Sequence, residues 1–196
     1  MKQVLIIHGG DSYLSHEAYL KALNQQQIEY ERLIKTPGWR DWIANELNDS
    51  DVLMPDFPNK QNAQYEEWKI YFEKLIPFFG NDISLIGYSL GAMFLAKYLN
   101  ESPLREKVRR IMLVSPSHSD DSVEGVGSFC VTSAKNLVES SDEIHLFHSK
   151  DDPICPFTEF EKFLIELPNA TAHIFEDRGH FFQPTFPELL DVLKQK

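Results

Sequence analysis

Apolar residues along this chain keep two alternating rhythms: short unbroken runs of four or five, and longer stretches in which they recur every three or four positions. The first rhythm, as in Val4 to His8, fits a strand buried on both faces. The second, as in Ser15 to Gln26 with Ala18, Tyr19, Ala22 and Leu23 on one side, fits an amphipathic helix. Ile28 to Ile34 reads as a weaker extended run, broken by Thr36-Pro37-Gly38. Trp39 to Leu47 is helical, with apolar residues at 39, 42, 43 and 47. Val52 to Met54 is a brief strand stopped by Pro55 and Pro58. Tyr65 to Phe79 predicts a long helix, Ile83 to Gly87 a buried strand and Leu90 to Leu99 a further helix. Ile111 to Val114, Ile144 to His148 and Ala172 to Phe175 add strands, with helices expected at Phe157 to Leu167 and Pro187 to Lys196. Short apolar strands joined by helices predict the α/β class: a doubly wound, mostly parallel sheet of roughly five to seven strands with helices on both faces. In such a sheet the reacting groups belong in the loops at the carboxyl ends of the strands.

Composition narrows the function classes. At 196 residues and 42% hydrophobic content, the chain fits one domain spanning 1–196. A net charge of −11 without a Lys/Arg cluster argues against a nucleic-acid partner and against an anionic membrane surface. No apolar stretch approaches the roughly 20 residues needed to cross a bilayer, so no membrane insertion is expected. The chain passes from Lys2 straight into a strand, without the long apolar core of a secretory signal, which favours a cytoplasmic protein. Cys130 and Cys155 read as two reduced thiols, and no Cys/His spacing suits a metal.

One pentapeptide carries chemistry. Gly87-Tyr88-Ser89-Leu90-Gly91 stands where a strand pattern changes to a helix pattern. A chain reversing there within a few residues pushes the central residue toward a strained conformation, which flanking glycines relieve. Ser89 would then project its hydroxyl clear of the sheet, with the amide of Leu90 free to donate to an oxyanion. A serine that merely capped the helix would need neither glycine.

A serine nucleophile needs a base, and the base needs an acid to orient it. His180, in Asp177-Arg178-Gly179-His180-Phe181, is the one histidine of seven that follows a strand in a loop able to reach the sheet's end. His145 and His148 fall on opposite faces of a strand, which rules out a simple metal pair. His16, His118 and His173 lie in polar surroundings and are expected at the surface. For the acid, Asp152 is assigned because Pro153 fixes its geometry, with Asp151 as the second choice. The chain order Ser89, Asp152, His180 is that of the α/β-hydrolases. A second oxyanion amide is expected from His8-Gly9-Gly10, at Gly10 or its neighbour Asp11, while His8 supports the loop by hydrogen bonding.

With these stretches placed, the chain resembles the small α/β-hydrolases of the retinoblastoma-binding protein 9 type. The likeness lies in His8-Gly9-Gly10, Pro55-Asp56-Phe57-Pro58-Asn59, Gly87 to Gly91, Asp151-Asp152-Pro153 through Pro156, and Gly179-His180-Phe181. It implies a Ser89, Asp152, His180 triad, no cofactor, and activity on a small-molecule ester or amide. The sequence departs from the compact pattern at about 11–38, an apparent insert, and a polar stretch at about 115–142 is long enough to form a lid. Phe57, Phe129, Phe181 and Phe182 fit equally as the lining of an acyl pocket and as ordinary core or surface aromatics. The expected reaction is hydrolysis of a small ester through an acyl-enzyme. An amidase, peptidase or thioesterase would use the same residues, and a binding protein without turnover would keep the same fold.

Overall fold

A computed structural model describes residues 2–34, 36–119 and 126–195. Lys2–Ile7 (β1), Ser50–Leu53 (β2), Ile83–Tyr88 (β3), Arg110–Val114 (β4), Ile144–Ser149 (β5) and Thr171–Phe175 (β6) form one six-stranded sheet. The strand order is β2-β1-β3-β4-β5-β6, and every pair is parallel. The chain starts in β1, moves outward to β2, and returns to the other flank of β1 as β3. Winding therefore reverses between β1 and β3, and the loops leaving their carboxyl ends diverge to open a crevice.

The connecting helices are His16–Gln25 (α1), Tyr30–Leu33 (α2), Trp39–Glu46 (α3), Tyr65–Leu75 (α4), Leu90–Glu101 (α5), Leu137–Ser140 (α6), Phe157–Glu166 (α7) and Pro187–Lys194 (α8). Strand side chains alternate between two cores. Leu5, Ile7, Ile111, Leu113 and Leu146 face α4, α5 and α7, where Trp68, Phe72, Phe94, Phe160 and Phe163 are fully buried. Val4, Ile6, Met112, Val114 and Phe147 face α3 and α8 through Trp39, Ile43, Phe186 and Leu189. Helix α5 is buried over most of its length, from Leu90 to Ala96 and again at Tyr98 and Leu99. Its first turn lies directly against β1: a Cβ on Gly91 would sit 2.5 Å from the Ile7 carbonyl oxygen and 2.6 Å from that of His8.

Four local expectations are revised. Ile28 to Ile34 is not extended, since Tyr30–Leu33 forms one helical turn. Among the described residues the sheet ends at β2, and Ile28 and Ile34 flank rather than occupy the turn. The helix expected to reach Phe79 ends at Leu75 and tightens into a 3₁₀ turn, Ile76–Phe78, because Pro77 brings no amide to an α-helical bond. His118 is buried edge-on to Phe163, with Nε2 3.3 Å from Glu166 Oε2. His173 is half-buried, stacked on Phe147 at 4.1 Å, because the register of β5 and β6 sets the two side by side. Burial and the neighbouring His145 push the His173 imidazole down to about 4, so it is neutral at pH 7.

The segment at 11–38 lies outside both cores. Helix α1 has no buried residue, and Leu14, Ile28, Tyr30 and Leu33 are exposed. Of the stretch at 115–142, residues 120–125 lie outside the described residues. The rest is packed down: Val126, Phe129, Val131, Ala134 and Leu137 are buried. Among the described residues, no helix is long and apolar enough to cross a membrane.

Because the α5–β1 approach leaves no room for a methyl group, Gly91→Ala should destabilise the fold by about 2 kcal/mol despite the better helix propensity of alanine. Urea unfolding measures this, and an unchanged midpoint would show that the approach is not tight.

Candidate active site

Ser89 stands at the junction of β3 and α5 with φ 53° and ψ −120°, a backbone region that non-glycine residues rarely occupy. A Cβ on Gly87 would lie 2.5 Å from Ala92 Cα, so the elbow closes only with glycine there. The Ser89 amide donates to the Val114 carbonyl at 2.9 Å, and its carbonyl accepts from Ala92 and Met93 at 2.9 and 3.1 Å. Its side chain makes no cap bond to the helix. The hydroxyl instead lies 2.9 Å from His180 Nε2.

His180 is buried, and its Nδ1 lies 2.9 Å from Asp152 Oδ2 and 3.1 Å from Oδ1. A carboxylate can only accept, so Nδ1 carries the proton and Nε2 is left to accept from the Ser89 hydroxyl. Of the two aspartates considered, Asp152 is thus the one in contact with His180. Its Oδ1 also accepts from the amides of Ile154 and Cys155 at 2.9 and 3.0 Å, and its Oδ2 from the Ser115 hydroxyl. Burial pushes the Asp152 carboxyl up, but the bonds from His180, Ser115 and Cys155 outweigh it and hold the group below the usual range. Asp151 is exposed and serves the neighbouring loop: its Oδ1 accepts from the Ser149 hydroxyl at 2.5 Å and the Gly179 amide at 2.8 Å.

Three supporting residues carry no sequence signal. Ser115, at φ 49°, directly follows β4 with its hydroxyl turned onto Asp152. Tyr88 donates its hydroxyl to the His180 carbonyl at 2.7 Å, and burial pushes the phenol up so that it stays protonated. Glu159 on α7 is fully buried and accepts from the amides of His118 and Ser119 at 2.8 and 2.6 Å and from Lys162 at 2.6 Å. Burial pushes this carboxyl up, but Lys162 and the two amides more than offset it, leaving Glu159 at about 2. It fixes the loop that brings Ser117 to the site.

At the end of β1, the Phe57 amide donates to His8 Nε2 at 2.8 Å, so the proton of His8 is on Nδ1, which donates to the Gly9 carbonyl at 2.7 Å. Burial lowers the His8 imidazole further, in keeping with this neutral supporting role. A Cβ on Gly9 would lie 3.1 Å from Ser89 Cβ, and one on Gly10 would lie 2.4 Å from the Lys60 carbonyl oxygen. The Asp11 amide is committed, donating to that same Lys60 oxygen at 2.8 Å. Of the two amides considered for an oxyanion, that of Asp11 is thus already engaged.

Ser89 lies between two cavities. An inner one of about 260 Å³ is lined by Gly10, Leu90, Met93, Val126 and Cys155, with Ala22 contributed by α1. An outer one of about 370 Å³ is lined by His8, Gly10, Arg40, Lys60, His180 and Phe182. Of the four phenylalanines considered for an acyl pocket, Phe57 and Phe129 belong to one core and Phe181 to the other. Phe182, 71% exposed, lines the outer cavity instead. A larger cavity of about 680 Å³ sits by Ile83 and Val108, at the opposite ends of the strands, and none of the candidate residues lines it.

Comparison with known proteins follows the same lines. The sequence model of the family described as Serine hydrolase matches residues 34–193. Serine hydrolase RBBP9 of Rattus norvegicus is 27% identical over 168 residues, covering 82% of this chain and 87% of that protein. The solved structure of the ydeN gene product from Bacillus subtilis superimposes with a TM-score of 0.78 at 23% identity, covering 98% of this chain and 97% of that one. A lipase-esterase related protein from Clostridium acetobutylicum gives a TM-score of 0.63 at 14% identity, covering 98% and 93%.

Tyr88→Phe should lower kcat about tenfold with little change in KM, because only the tether on the His180 loop is lost. An equal loss in KM would show that Tyr88 contacts substrate. Glu159→Gln should cost about 2 kcal/mol of stability at pH 7. Since the native carboxyl titrates near 2 against an ordinary 4.5, the gap between variant and wild type should narrow as pH falls between those values. A gap independent of pH would contradict the ion-pairing role.

Proposed function

The chain belongs to the serine hydrolase family, and from that premise we propose that it cleaves a small carboxylic ester by two-step acyl transfer through Ser89, His180 and Asp152. The observation that carries the proposal is the pair of contacts made by one buried imidazole: Nε2 at 2.9 Å from the Ser89 hydroxyl and Nδ1 at 2.9 Å from Asp152.

In the first step Ser89 Oγ bonds to the ester carbonyl carbon while its proton passes to His180 Nε2. The imidazolium is stabilised by Asp152, whose charge is held by three other donors and does not have to move. The amides of Leu90, at the start of α5, and of Gly10 face the developing oxyanion; the helix dipole adds to the first. Collapse breaks the bond to the alcohol oxygen, which takes the Nε2 proton as it leaves. Water then attacks the acyl-enzyme, giving its proton to Nε2, and collapse of the second intermediate releases the acid and returns the proton to Ser89. The acyl part fits the inner cavity beside Leu90 and Met93, and the leaving group the side on which His180 stands.

A fluorophosphonate probe should label wild-type protein at Ser89 and fail to label Ser89→Ala. Asp152→Asn should lose about 10³-fold or more in kcat on a short-chain aryl ester. Labelling that persists in Ser89→Ala, or full turnover by His180→Ala, would contradict the assignment. Matched ester, thioester and amide substrates rank the leaving groups, with the ester expected to be cleaved fastest.

A further inference from the structure

Arginines in this acidic chain find carboxylates readily. Arg109 pairs with Asp82 at 3.3 Å, Arg178 with Glu188 at 2.5 Å, and Arg110 with Glu143. Arg40, in the first turn of α3, is different. It is half-buried, and among the described residues no hydrogen bond or ion pair engages its guanidinium. A partly desolvated guanidinium outside any ion pair has strong donors to offer an incoming anion. With 30 acidic and 19 basic side chains, the protein is not short of carboxylates.

Arg40 stands beside the candidate site. It lines the outer cavity together with Ser89, His180 and Phe182, and its charge reaches inward to His8 and Tyr88. Lys60 lines the same cavity; its ammonium is 3.7 Å from Asp56 in an exposed pair, a contact too solvated to neutralise it fully. The inner cavity has no Lys, Arg or His in its described lining, and its one acidic residue, Asp11, sits where it borders the outer cavity. Positive charge is thus confined to one side of Ser89. That side is the one His180 lines, and His180 lines only that side. Because Nε2 must hand its proton to the departing oxygen, the leaving group occupies the outer cavity.

We propose that the enzyme prefers esters whose alcohol portion bears a carboxylate, and that Arg40 is the specificity-determining residue that binds it, assisted by Lys60. This deepens the esterase reading of Ser89 and His180 and rests on it. The acyl portion is correspondingly uncharged. The planar guanidinium can hold a carboxylate through two parallel N–H bonds, which fixes the alcohol portion while the acyl carbon meets Ser89.

The test compares the acetate ester of 4-hydroxybenzoate with that of methyl 4-hydroxybenzoate, which share an acyl group and differ in one charge on the leaving group. The ratio of their kcat/KM values should fall about tenfold from wild type to Arg40→Gln, mostly through KM for the charged ester. Arg40→Lys should retain part of the preference, and Lys60→Gln should lose about twofold to threefold. Moving the carboxylate to the acyl side, as in an aryl hemisuccinate, should bring no advantage. An unchanged ratio in Arg40→Gln, with both esters still cleaved and Ser89 still labelled by fluorophosphonate, would overturn this inference and leave the esterase reading standing. So would a preference for the hemisuccinate. Failure to cleave either ester, together with no fluorophosphonate adduct, would remove both readings.

Discussion

Between β3 and α5 the chain reverses within two residues while holding a serine at positive φ, and every other feature of the site is arranged around that reversal. The strain, of order 1–3 kcal/mol for such a residue, persists because the surroundings over-determine it. Gly87 lets the start of α5 fold back onto β3, and Gly91 lets it rest on the last carbonyls of β1. Helix α5 is buried along most of its length, so the elbow cannot relax without moving a core element. The result is a hydroxyl fixed where the winding of the sheet reverses, beside the Gly9-Gly10 turn from the neighbouring strand.

The same device recurs at the partners of Ser89. Ser115 after β4 and Phe181 beside His180 also have positive φ, at 49° and 55°. Phe181 is buried against Phe175 and Phe186, and Tyr88 holds the His180 carbonyl, so a tight loop is anchored from two sides. Asp152 is buried, and a buried carboxylate is costly unless its lone pairs are filled. Here they are filled by His180, Ser115 and two backbone amides, which leaves the imidazole ring with one orientation. Charge beyond this network is uneven: Arg40 and Lys60 lie on the His180 side of Ser89, while the inner side is apolar or neutral apart from Asp11 at the border.

Much of this was legible in the sequence because its physics is local. Parallel strands buried on both faces read as continuous apolar runs, which is why β1, β3, β4 and β5 were found, and a glycine two positions either side of Ser89 announces a tight turn. Asp152 was separable from Asp151 because Pro153 constrains its predecessor. What escaped depends on distant pairs. Tyr88 matters through a residue 92 positions away, Ser115 through one 37 away, and Glu159 through a loop some 40 residues earlier. Arg40 looks like any solvated helix charge until the fold sets it in the lining of the cavity that His180 also lines. The four phenylalanines stayed undivided between pocket and core for the converse reason: aromatic type says nothing about which side of a sheet a loop residue packs on.

The most direct measurement is the mass of the enzyme quenched during turnover of an activated aryl ester. The account predicts a burst of about one equivalent of phenol per chain and an intact mass raised by one acyl group, mapping by peptide fragmentation to Ser89. Steady turnover without an adduct on Ser89, or an acyl group carried by another residue, would contradict it.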